Sequence, residues 1–182
     1  MADFDPLTDY YHRRQAALLD HQAHVVQLVT THSAVVPGSF FDPAPTFTAV
    51  IEHQAQTVGE ICYAVSPLRD RLYIDELAVA KPWTGRGFAQ AALWRLWRVH
   101  QVPLTPLMQR MDSLLFRATV RRRFAAAGVT LTQDLRNEEQ EAEQQRWQHL
   151  VPESAMDRSI RRYWAWVAAE QAAGRRAGPG VR

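Results

Sequence analysis

The chain has 182 residues, 47% of them hydrophobic, with 21 basic and 19 acidic side chains and a net charge of +2. That length suits one compact core with additions at its ends and argues against two full domains, and the near balance of charge argues against a surface built to coat a polyanion. A single cysteine, Cys62, excludes an internal disulfide framework, and no apolar run reaches the length of a membrane span or resembles a signal peptide, so the sequence reads as a soluble cytoplasmic protein with no membrane partner.

Asp5 as N-cap and Pro6 at the first helical position open a helical pattern to about residue 31, with Leu7, Tyr11, Leu18, Val25 and Val29 at helical spacing. Ser33 to Pro37 could form a short strand, and the prolines after it mark a linker, so 1–46 reads as an N-terminal helical segment. From Phe47 the period changes. Residues 47–52, 57–65 and 71–79 read as three strands joined by short polar turns, an antiparallel meander.

The third of these feeds a glycine turn and a helix from Gly87 to about His100, whose Phe88, Ala89, Ala92, Leu93, Leu96 and Val99 form one apolar arc. Trp94 and Trp97 fall outside that arc, and the C-terminal segment is expected to cover them. Pro103 to Met108 is a candidate strand, Asp112 to Ala127 a helix ended by Gly128, and Val129 to Thr132 a short strand. Beyond Asp134 the chain turns to Glu and Gln, predicting a solvated helix over 137–148. Ser154 and Asp157 then cap a last helix striped with Met156, Ile160, Tyr163, Trp164 and Val167. The division read from this pattern is 1–46, a core at 47–132, and a helical extension at 133–182.

The chemistry concentrates at the glycine turn, Thr84-Gly85-Arg86-Gly87-Phe88-Ala89. Two glycines sit where a helix begins, its first N–H groups lack intrahelical partners, and Arg86 adds a positive charge; together these suit a pyrophosphate. An ordinary strand-to-helix connection that binds nothing is the alternative. On the preceding strand, simple alternation puts Tyr73, Asp75, Leu77 and Val79 on one face and Ile74, Glu76 and Ala78 on the other.

Strand, glycine turn and helix in this order resemble motif A of the GCN5-related N-acetyltransferases (GNAT), Gln/Arg-x-x-Gly-x-Gly/Ala, with Thr84 at the first position. The resemblance covers roughly residues 47–132. It implies an α/β (α+β) fold, a GNAT-like mixed and mostly antiparallel sheet flanked by helices, here with extra N- and C-terminal helices. It also implies a transferase, an acyltransferase using acetyl-CoA or a related acyl-CoA as co-substrate and no metal, in which an amine of a small molecule or protein attacks the thioester directly. Leu77, Ala78 and Val79 would then face pantetheine, and Thr84, Gly85, Arg86, Gly87, Phe88 and Ala89 would hold the pyrophosphate. The family's acidic base matches Asp75, with Glu76 as second choice and Tyr73 at the other matching position.

A second family landmark, Asn-x-x-Ala-x-x-Leu-Tyr-x-x-x-Gly-Phe, lies against Arg117 to Val129, with Arg117 for the asparagine and Phe124 for the tyrosine that protonates the leaving thiolate. Water, Tyr63 or Tyr73 would have to replace that tyrosine. The family's opening strand and closing hairpin are not apparent. The alternative reading is a catalytically weak or inactive GNAT-fold binding or regulatory module, contacting nucleic acid through Arg117 and Arg121 to Arg123, though a solvated helix face is favoured for that cluster. His21 and His24 stand one turn apart without a third metal ligand, and a homodimer is left open.

Overall fold

The computed structural model describes residues 6–107 and 114–175. The end of the expected strand near Met108 and the start of the expected helix at Asp112 lie outside the described residues. Two compact units divide the chain, Met1–Leu150 and Val151–Arg182.

The first helix, α1 (Pro6–Ala23), is shorter than its sequence pattern suggests, because the β-branched run that follows leaves the helix and forms strand β1 (Gln27–Ala34). Val29, Thr30 and Thr31 lose side-chain freedom in a helix and fit a pleated strand, so propensity overrides the apparent helical spacing of Val25 and Val29. The core therefore begins well before Phe47. The three expected strands follow as β2 (Thr46–His53), β3 (Gln56–Val65) and β4 (Leu72–Val79), antiparallel in sequence order. Helix α2 (Phe88–His100) crosses over and returns the chain as β5 (Leu104–Pro106), parallel to β4. The result is a five-stranded mixed sheet, order β1-β2-β3-β4-β5, mostly antiparallel and flanked by helices, as expected. The strand expected at 129–132 is reduced to one bridge, Leu104 to Leu131.

One face of the sheet carries the larger core, where Val58, Ile61, Leu72 and Ile74 meet Leu93 and Trp94 of α2, Leu19 of α1, and Val120 and Phe124 of α3 (Leu114–Ala126). The buried arc of α2 is wider than the sequence pattern indicates. Trp94 is fully buried, donating its indole N–H to Asp20 Oδ1 at 2.8 Å with Phe124 edge-on at 5.2 Å, whereas Val99 is 75% exposed. The cover over Trp94 thus comes from α1 and α3. A helix wedged between a sheet and two other helices buries more than the stripe its moment suggests.

The opposite face holds a smaller cluster of Phe41, Ala64, Tyr73, Leu107 and Trp147. Helix α4 (Asn137–Gln145) has no buried residue, as its composition predicts, but the turn after it drops Trp147 completely into this cluster. Tyr73 donates to Glu143 Oε1 at 2.7 Å, Arg71 reaches the same carboxylate at 3.0 Å, and Arg146 bridges Glu143 and Asp70. Burial pushes Asp70 upward, but hydrogen bonds from Arg146 and Ser66 and the nearby Arg71 outweigh it and hold the carboxyl below its ordinary range.

In the second unit Ser154 caps helix α5 (Ala155–Ala172), accepting from the Asp157 amide at 3.0 Å as the sequence predicts. Met156, Ile160, Tyr163 and Trp164 are exposed along it. Among the described residues no helix is long and apolar enough to cross a membrane.

Candidate functional site

Strand β4 changes character at its midpoint. Leu72, Tyr73 and Ile74 are buried and pair with both β3 and β5, whereas β5 ends opposite Ile74, so no strand of the described sheet pairs with the free edge of Asp75 to Val79. Backbone N–H and C=O groups along such an edge call for solvent or a ligand that can pair with them.

At the same point the β3–β4 register slips: Tyr63 faces Ile74 and Cys62 faces Glu76, leaving Asp75 as an extra residue. This bulge corrects the simple alternation. Tyr73 belongs to the smaller cluster, whereas Leu77 and Val79 pack against the larger core together with Leu72 and Ile74. Without the slip, Glu76 and Ala78 would turn toward that core; with it, both stay exposed and the apolar pair turns inward. Gly59, opposite Val79, permits the close approach of the strands beyond the bulge, because a Cβ there would lie 2.4 Å from the Ala78 carbonyl oxygen.

Where β4 and β5 part, a small apolar cavity of about 10 Å³ lies between the sheet, α2 and α3, lined by Ile74, Leu77, Leu93, Pro106, Phe116, Arg117, Val120 and Leu131. Beyond the far end of β4 come the turn Lys81–Trp83 and the glycine pair. Gly85 and Gly87 both take positive φ, +75° and +86°, which side chains disfavour, and Gly87 is the N-cap of α2 without any side-chain cap bond. A Cβ at either glycine would meet nothing within 4 Å, so the space in front of the helix terminus is open. Arg86 lies with its guanidinium carbon 4.9 Å from the centre of the Trp83 ring, and Phe88 is buried against Trp83 and His53. The turn thus presents helix N–H groups, a positive dipole end and a guanidinium to open space, an arrangement suited to an anion.

Of the acidic candidates, Asp75 and Glu76 are both exposed on the bulged segment. Partial burial and the neighbouring Glu76 push the Asp75 carboxyl above the ordinary carboxylate range, against a smaller opposing hydrogen bond with the Cys62 thiol. A carboxyl moved toward neutrality is better matched to taking a proton near pH 7. Tyr73 stands apart from them. Its ring is fully buried between Phe40 and Trp147, its hydroxyl is spent on Glu143, and burial and that carboxylate hold its proton far more tightly than usual.

The remaining candidates lie in packed surroundings. Tyr63 is buried and stacked on Phe47 at 5.3 Å, and Phe124 is a core residue against Trp94. Cys62 is half-buried, and desolvation raises its thiol pKa, so it stays protonated as a packing residue.

The arginine cluster disperses. Arg121 donates to the Leu131 and Thr132 carbonyls at 3.1 and 2.8 Å, Arg123 donates to Gln90 at 2.8 Å, and Arg117 is buried in an ion pair with Asp134. Arg117 was legible in the sequence only as one charge among several; the signal that separates it is its position three before Val120 and seven before Phe124, on the buried stripe of α3. Among the described residues no group of three side chains could hold a metal.

No protein-family model matches this chain, and no curated protein matches it in sequence. Among solved structures it is similar to the crystal structure named "Putative Acetyltransferase (YycN) from Bacillus subtilis", with 16% identity over 72% of this chain and 85% of that chain and a TM-score of 0.38.

Proposed function

We propose that this chain is a GNAT-type acyltransferase that moves an acetyl or other short acyl group from acyl-CoA to an amine of a small molecule or protein. The observation that carries this reading is the edge of β4 from Asp75 to Val79, left unpaired among the described residues, which leads to an open, positively polarised helix terminus. A pantetheine arm has amides to pair with such an edge, and a pyrophosphate suits Thr84 to Ala89 with Arg86 beside it. Leu77 and Val79 offer apolar contact on the inner side of that path and Ala78 lies on the outer side.

Asp75 is the proposed base, with Glu76 as the nearby alternative. The acceptor's ammonium loses its proton to the Asp75 carboxylate, directly or through water, and its nitrogen pair forms a C–N bond to the thioester carbon while the carbonyl π pair moves onto oxygen. Collapse of that oxyanion re-forms the carbonyl and breaks the C–S bond; the nitrogen, cationic after C–N bond formation, releases its extra proton, and the leaving thiolate takes it up through water. A thiolate with a conjugate-acid pKa of about 8.5 can leave without a tyrosine.

The test is a thermal-shift titration with acetyl-CoA. Occupancy at a hundredfold the dissociation constant stabilises the native state by about 2.7 kcal/mol, and at about 2–4 °C per kcal/mol for a chain of this size the melting temperature rises by several degrees. No shift at millimolar coenzyme overturns the reading. Phe124, buried in the core at the position where the resembled family carries its tyrosine, favours one second reading, a module that binds acyl-CoA without transferring its acyl group. Amine-dependent release of free thiol from acetyl-CoA excludes it.

A further inference from the structure

We propose that helix α5 of the second unit docks along the surface of an anionic lipid bilayer, with its aromatic face in the headgroup layer and its arginines on the lipid phosphates. The helix carries one broad apolar arc. At about 100° per residue, Met156, Ile160, Tyr163, Trp164, Trp166 and Val167 fall within roughly 160° of the helical wheel. Met156, Ile160, Tyr163, Trp164 and Trp166 are all exposed, Met156 at 72% and Trp164 at 62%, and the Tyr163 ring lies 5.5 and 6.0 Å from those of Trp164 and Trp166. A contiguous apolar patch of this kind, rimmed by charge, marks a docking surface.

Width and charge select what docks there. Met156, Ile160, Tyr163 and Val167 follow the spacing of a coiled-coil seam, but the next seam positions are Glu170 and Gly174, so the seam ends too early to hold a second copy of the helix. Trp164 and Trp166 widen the arc on either side, which suits a flat surface. Residues 151–182 hold six arginines against three acids, whereas residues 1–150 hold fifteen basic and sixteen acidic side chains. The positive charge of the chain therefore lies in the unit that carries the aromatic face. Its acids are already engaged: Glu153 accepts from Arg161 at 2.7 and 2.8 Å, Asp157 from the Ser154 hydroxyl at 2.7 Å, and Glu170 from Arg175 at 2.8 and 2.9 Å. Arg158 and Arg162 have no ion-pair partner among the described residues. Arg162 borders the arc beside Trp166, where a long side chain can reach a phosphate while the rings stay in the interface. Tyrosine and tryptophan rings, apolar with one polar edge, suit the headgroup level, and a helix lying in that layer needs no apolar run of spanning length.

The test is flotation of the full chain with vesicles of phosphatidylcholine alone, or of phosphatidylcholine and phosphatidylglycerol in equal parts. Wild type should float with the anionic vesicles and at least about tenfold more weakly with the neutral ones, and high salt should reduce the difference. Arg158→Gln combined with Arg162→Gln should weaken anionic binding by about 25-fold, at roughly fivefold per arginine. Ile160→Glu, a charge in the middle of the arc, should abolish flotation, and Trp164→Ala should weaken it by about tenfold or more. Both positions are exposed, so the melting temperature should stay that of wild type. No flotation of wild type with anionic vesicles, equal flotation with neutral ones, or flotation that these variants leave unchanged overturns the proposal. A dimer by light scattering that Ile160→Glu returns to the 20.8 kDa monomer, without flotation, also overturns it and gives the face to a second copy.

Discussion

Leu72, Tyr73 and Ile74 are buried and paired into strands on both sides, whereas Asp75 to Val79, continuing the same strand, pair with β3 alone among the described residues and are exposed or half-buried. The first half behaves as scaffold: it is paired on both sides and each side chain fills one of the two clusters. The second half gives up one edge and gains a bulge, which keeps its acids out of the core without sacrificing the inward contacts of Leu77 and Val79. Rigid support and an unpaired edge are thus delivered by adjacent residues, so a site can be open and still held in register.

The largest effect expected from this contrast is on turnover. Asp75→Asn should lower kcat by about 10²–10⁴-fold, the contribution of a positioned general base, with coenzyme affinity unchanged. Wild-type kcat/KM should rise with pH through a carboxyl value above the ordinary Asp range, because the deprotonated form is the active one and burial together with Glu76 raises its pKa. Steady-state rates across pH with an identified amine check both points, and unchanged turnover removes Asp75 from the role.

Stability should divide the strand in the same place. Ile74→Ala empties a fully packed position and should cost about 2–5 kcal/mol, whereas Val79→Ala, at a half-buried position, should cost under about 1.5 kcal/mol. Denaturant unfolding of the two variants measures the difference, and equal losses would contradict the division.

The glycine turn should respond more mildly. Gly87→Ala meets no steric obstacle, so its cost is that of a left-handed backbone with a Cβ, about 1–2 kcal/mol. It should also weaken coenzyme binding, which calorimetry can follow.

The smallest expected effect has the opposite sign. Because the folded-state pKa of Asp75 is raised, the stabilising contribution of its protonated form is present below the unfolded pKa and is lost as pH rises through the folded value. Asp75→Asn should therefore be slightly more stable than wild type at neutral pH, with the gain disappearing in acid. Loss of stability at pH 7 would show that the carboxylate is doing structural work.

How far the sequence reaches follows the range of the interactions involved. The three strands of the meander, the crossover helix, the Ser154 cap and the glycine turn were legible because each depends on neighbours within a few residues: alternation, helical spacing, a capping hydroxyl, an unusual φ. The end of α1 is not legible locally because helical spacing and β-branched propensity compete over Val25 to Thr31, and pairing with β2 decides between them. Val99 and Trp94 exchanged places because the cover on α2 comes from α1 and α3, which no local pattern specifies.

The candidate site divides in the same way. Residues 84–89 and the acids at 75 and 76 stand out in the sequence because glycine spacing before a helix and carboxylates on a strand are local features. Only tertiary structure decided that β5 stops opposite Ile74, that the register slips at Asp75, that Tyr73 belongs to Glu143 and Trp147, and that Arg117 leaves the basic cluster for a buried ion pair with Asp134. Each of these depends on which segment pairs with or packs on another far along the chain, and a single strand carries no record of the partner that ends its pairing.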